Sequence, residues 1–157
     1  MTKPTAANRP WNVLLVEDDN IVREQVREFL SGEEFSGRRL DITEIANIPE
    51  ALNLINDRKA DLVVLDVYRG EAQEGGEQAG IQVLQSIKQS GFVAVVLYTA
   101  LPEGLEGQQS IFVRLVRKDA GLERLKEEIA NLFSIRIPQV HRAIINHLDS
   151  SLSSYMW

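Results

Sequence analysis

An aspartate closes the run Leu62, Val63, Val64, Leu65, Asp66. Four consecutive apolar residues read as a strand buried on both faces. A carboxylate at the mouth of such a strand is costly unless a charged group sits with it. Three other apolar runs end in groups able to do chemistry. Residues 13–16 are followed by Glu17, Asp18 and Asp19, the run ending at Tyr98 by Thr99, and the run ending at Val116, past Arg117, by Lys118. Clustered carboxylates disfavour shared ionisation unless a cation joins them, and all-oxygen ligands suit a hard ion such as Mg2+. A carboxylate beside such an ion can attack a phosphoryl group, while a lysine and a hydroxyl hold the other phosphoryl oxygens.

These groups are spread over a hundred residues, so the elements between them must bring them together. Ile21, Val22, Val26, Phe29 and Leu30 recur at helical spacing, with Asp19 or Asn20 as the cap and Gly32 as the stop. Residues 40–44 alternate as an edge strand does. Pro49 suits the first turn of a helix carrying Ala51, Leu54 and Ile55. A helix is predicted from about Gly80, strands over 92–98 and 111–116, and a last core helix through Leu122, Leu125, Ile129, Leu132 and Phe133. Five strands alternating with helices imply an α/β fold with a parallel sheet covered on both faces and right-handed crossovers. In such a sheet ligands bind outside the carboxyl ends of the strands, where the chemical groups fall. Two stretches break the rhythm: a polar, glycine-rich loop between Asp66 and Gly80, and a segment between Thr99 and Ile111 too short and glycine-rich for a full helix.

The bulk numbers narrow the partners. The chain has 157 residues, 44% hydrophobic and 25% charged, and carries a net charge of −6, which argues against general nucleic-acid binding. It contains no cysteine, so disulfides and thiolate metal sites are excluded. No apolar run reaches the roughly 20 residues that span a bilayer, and the first ten residues lack a signal-peptide core. A cytoplasmic protein without a membrane partner is the expectation.

"VLLVEDD", "LVVLDV", "VVLYTA" and "LVRKDAG" resemble, in that order, the signature segments of two-component response-regulator receiver domains, over about residues 11–134. The resemblance implies a doubly wound, flavodoxin-like fold of five parallel strands in the order 2-1-3-4-5. It further implies that Asp66 accepts a phosphoryl group from a histidine kinase or phosphotransfer protein. Asp18 and Asp66 would bind Mg2+ directly with the backbone carbonyl of Tyr68, Glu17 would act through a water, and Thr99 and Lys118 would contact the phosphoryl group. The chain would then assist only its own phosphorylation and dephosphorylation.

The match has departures. Asp119 follows Lys118 where the family carries a proline. Leu115 stands where it carries the aromatic residue that moves with the switching hydroxyl. The loop after Asp66 is long, and the fourth-helix region, part of the usual output face, looks shortened. A pseudo-receiver acting only as an interaction module is therefore the alternative. A Mg2+-dependent phosphohydrolase is disfavoured, because such enzymes place a second aspartate where Tyr68 stands.

Residues 1–10 are expected to be a flexible N-terminus, and 135–157 an amphipathic helix serving as linker or dimerisation segment. Val140, Ile144, Leu148 and Leu152 make its apolar stripe. That stripe must be covered by the domain, a second copy or a following domain, and the prevalence of two-fold symmetry makes a homodimer the expectation. His141 and His147, six apart, are poorly spaced for joint metal ligation. The apolar "YMW" end suggests a piece of a longer protein.

Overall fold

Strands and helices alternate along the chain in the computed structural model, which describes residues 9–57, 60–67, 76–90, 93–100 and 102–155. The order is β1 (Trp11–Val16), α1 (Asn20–Ser31), β2 (Glu34–Phe35), β3 (Arg38–Ile45), α2 (Ile48–Asp57), β4 (Leu62–Leu65), α3 (Gly76–Ser90), β5 (Ala94–Thr99), β6 (Val113–Arg117), α4 (Leu122–Asn131) and α5 (Ile137–Tyr155). The sheet runs β2-β3-β1-β4-β5-β6. Its five long strands pair in parallel, in the doubly wound order expected. The sixth strand is a correction: two residues, Glu34 and Phe35, fold back antiparallel on Arg38 and Arg39. Ser36 and Gly37 form the two-residue turn with φ of 51° and 73°, the positive pair a tight hairpin demands. An isolated serine-glycine pair between short polar segments is a weak signal, and the added strand escapes a periodicity reading.

Side-chain alternation divides the core. Leu14, Val16, Val63, Leu65, Val95 and Leu97 face α2 and α3 with Ala51, Ile55, Val83, Leu84 and Ile87. Val13, Leu15, Leu62, Val64, Val96 and Tyr98 face α1 and α4 with Val26, Leu30, Leu125 and Ile129. Residues 62–65 are buried on both sides. Asp19 caps α1, its carboxylate accepting from the N–H groups of Ile21 and Val22, and Gly32 closes it. At the head of α2, the Asn47 side chain accepts from the Glu50 N–H and its amide donates to the Glu50 carboxylate, an asparagine N-cap.

Two helices extend beyond expectation. α3 begins at Gly76, which puts Gly80 in its interior; a Cβ there would sit 2.6 Å from the Val67 carbonyl oxygen and 2.7 Å from its Cα. Only a glycine lets α3 approach the backbone just past Asp66 so closely. α4 does not stop either. A π-helical turn over Leu132–Arg136 joins it to α5. Pro138 explains the wide turn: it has no N–H to donate to the carbonyl four residues back and its ring crowds that group, and the Ile137 N–H reaches Leu132 instead. Between β5 and β6 the regular structure among the described residues is one 3-10 turn, Glu106–Gln108.

Candidate phosphoryl-transfer site

Register places the acidic groups. β1 and β4 are parallel neighbours with Val16 opposite Leu65, so Glu17 and Asp66 leave the sheet at the same level. The Asp66 N–H donates to the Val16 carbonyl at 2.9 Å and the Glu17 N–H to the Ile45 carbonyl at 3.1 Å, which extends the ladder by one residue and fixes both side chains. The crevice lies at the switch point, where the chain, having placed β3 on one side of β1, returns to place β4 on the other.

Glu17, Asp18 and Asp66 each offer a carboxylate oxygen, all within 4.8 Å of one another. Lys118, from the 3-10 turn after β6, donates to Glu17 Oε2 at 2.6 Å and to Asp66 Oδ2 at 2.7 Å. Glu17 is 3% exposed and Asp66 8%. Burial first, and the Asp66 charge second, push the Glu17 carboxyl up to about 7 despite the lowering effect of Lys118. Burial also works against the Lys118 ammonium, but its hydrogen bonds to Asp66 and Glu17 outweigh it and hold its pKa above the ordinary lysine value. The lysine therefore stays charged, while the Glu17 carboxyl is pushed toward its protonated form.

Thr99 ends β5, fully buried, with Arg117 beside it in register. Tyr68 lies outside the described residues. Leu115 is partly buried on β6, its N–H bonded to the Gln109 side chain at 3.3 Å. Asp119 forms a two-pronged ion pair with Arg117, at 2.9 and 2.6 Å, on the exposed side of the Lys118 turn. Sequence reasoning missed the far wall. A pocket over the carboxylates is lined also by Val16 at the end of β1, by Ala46 and Asn47 from the loop after β3 and by Ile48 at the start of α2. The capping pattern Asn47-x-x-Glu50 was the available signal, because it marks a helix start at the end of a strand adjacent to β1.

The donor set fits a hard divalent cation: the ligand atoms are all oxygens, all three carboxylates line the pocket and Asp18 is exposed, an arrangement in which water can complete the shell of such an ion.

Comparison with known proteins identifies the family and the fold. The family model for the response regulator receiver domain matches residues 13–130. The probable C4-dicarboxylate response regulator DctR of Priestia megaterium is 28% identical over 150 residues, covering 92% of this chain and 62% of that protein. The chain thus spans about three-fifths of that relative's length. Among solved structures, the response regulator TrrA of Thermotoga maritima in complex with Mg(2+)-BeF is 25% identical with a TM-score of 0.62, covering 78% of this chain and 98% of that one. TrrA in complex with the histidine kinase ThkA is 26% identical with a TM-score of 0.58, covering 78% and 97%.

Proposed function

From the premise that this chain belongs to the response-regulator receiver family, we propose that Asp66 is its phosphoryl acceptor, with a histidine kinase or phosphotransfer protein as donor. The observation that carries the reading is the Asp66 carboxylate, 2.7 Å from Lys118 Nζ and grouped with Glu17 and Asp18. One Asp66 oxygen attacks phosphorus, the new P–O bond forms as the P–N bond to the donor imidazole breaks, and the released ring nitrogen keeps the electron pair and takes up a proton. Lys118 exchanges carboxylate contacts for phosphoryl oxygens, and Thr99 donates its hydroxyl to another. Asp18 and Asp66 would hold Mg2+ directly, with the Tyr68 carbonyl as third protein ligand and Glu17 acting through a water. The ion would neutralise charge on the transferring oxygens. TrrA, solved with Mg(2+)-BeF and with a histidine kinase, supports both the ion and the partner.

The readout differs from the common pattern in this reading. Leu115 offers no aromatic ring to follow Thr99, and the 3-10 turn at Glu106–Gln108 presents little surface where a fourth helix would stand. Output then passes through another surface.

Incubation with acetyl phosphate and Mg2+ tests the assignment: one phosphoryl mass should add to the protein and none to Asp66→Asn, whose amide keeps the size but not the nucleophile. Full labelling of Asp66→Asn overturns the acceptor. A wild-type chain that binds Mg2+ yet takes no label favours the pseudo-receiver, which Leu115 also favours.

A further inference from the structure

The arm formed by α5 stands away from the body with no buried residue. Four of the large apolar side chains most exposed in the described chain lie on it: Ile145 at 63%, Leu148 at 54%, Leu152 at 61% and Tyr155 at 88%. Their spacing is three, four, three, the a/d rhythm of a coiled-coil seam. This differs from the stripe expected from steps of four, since Val140 and Ile144 are half-buried and Ile145 joins Leu148 and Leu152 on the exposed face. The outer face asks for no partner. Ser150, Ser153 and Ser154 bond back to the carbonyls of Asn146, Asp149 and Ser151.

We propose that α5 pairs with α5 of a second copy of this chain as an antiparallel two-stranded coiled coil, with Ile145, Leu148, Leu152 and Tyr155 as the seam. The proposal is independent of the phosphoryl chemistry. A two-fold axis between Ile145 and Leu148 packs each Ile145 on the partner's Leu148 and each Leu152 on the partner's His141. Charge then selects the direction. Arg142 and Asp149 are one heptad apart, both flanking the seam on the same side, and among the described residues neither forms an intrachain ion pair. Antiparallel pairing sets each Arg142 beside the partner's Asp149, twice. Parallel pairing would set them beside the partner's Ile137 and Ile144, and would bring two bodies of net charge −6 side by side. Covering the seam removes roughly 500 Å² from each copy, near the low end of a specific interface, so association in the micromolar range is expected.

Light scattering on the full chain should show the monomer mass at about 1 μM and twice that mass at about 200 μM. Leu148→Glu with Leu152→Glu should stay monomeric at both, while its melting at 1 μM matches the wild type because the changed residues are exposed in the single copy. Arg142→Asp and Asp149→Arg should each weaken the dimer about tenfold, and the two together should restore it. A wild type monomeric at 200 μM overturns the proposal, as does a double charge exchange that fails to restore association.

Discussion

Glu17 carries the sharpest single-residue consequence. Its folded carboxyl is raised from 4.5 to about 7, so the folded state holds a proton that the unfolded state has already lost between those values. Stability from this group is fully present below pH 4.5 and is lost as pH rises toward 7. At about 1.4 kcal/mol per pH unit, the loss is on the order of 3 kcal/mol. Metal-free wild type should therefore melt at a lower temperature at pH 7.5 than at pH 5 relative to Glu17→Gln, which cannot titrate. Added Mg2+ should shrink the difference, because a cation among the carboxylates favours their charged forms. Parallel melting curves for the two proteins across this range would disprove the burial account. Glu17, Asp18, Asp66 and Lys118 were legible in the sequence because each stands one or two residues past an apolar run, and strand ends in a parallel sheet converge. The shift of Glu17 was not legible. It depends on Val16 lying opposite Leu65 and on Lys118 arriving from a strand a hundred residues away.

Between elements, the contact of α3 with the strand β4 exit decides how rigidly Asp66 is held. Gly80 in a helix interior normally costs about 1 kcal/mol against alanine, so surface logic says Gly80→Ala stabilises. The close approach of Val67 reverses the sign, since the new methyl would overlap backbone rather than a flexible side-chain tip. Overpacking of this kind costs about 1–3 kcal/mol. We expect Gly80→Ala to lower the melting temperature and to slow acetyl-phosphate labelling as the Asp66 backbone shifts; a more stable variant with unchanged labelling would refute the packing argument. Periodicity located every core helix and all five long strands, but it read Gly80 as a helix start. Spacing reports which face of a helix is apolar and carries no information on how near a neighbouring backbone comes. The Ser36-Gly37 hairpin and the π turn escaped for a related reason: both follow from local backbone conformation and packing, with little trace in hydrophobic pattern.

Across the whole molecule, chemistry and arm occupy opposite poles. The acidic site sits at the carboxyl ends of the strands. α4 starts just past Lys118 and runs to the amino ends, where Phe133 stacks on Trp11, the first residue of β1, at 4.3 Å and 15°. Around that stack the added hairpin closes on the base of the arm. Trp11 donates to the Phe35 carbonyl at 2.8 Å, Arg38 lies 3.5 Å over the Trp11 ring while bonding the Arg9 carbonyl, and Ser36 meets Ser134 of the π turn at 3.2 Å. One uninterrupted helical path, 122–155, thus leaves the site, passes through this clamp and becomes the arm. Trp11→Ala removes the stack, the cation–π contact and the hydrogen bond together. Because Trp11 is only partly buried, the cost should be near the low end for such a deletion, about 3 kcal/mol, or roughly 6–12 °C in melting temperature. β1 is six residues long, which separates Trp11 from Glu17 by about 20 Å, and among the described residues the two share no side-chain partner, so effects at the poles should be independent. Asp66 labelling in Trp11→Ala, measured well below its melting point, should stay within about twofold of wild type. A folded Trp11→Ala protein that loses labelling would show that the helix transmits strain from clamp to site, and a variant that melts like the wild type would show that the clamp holds nothing.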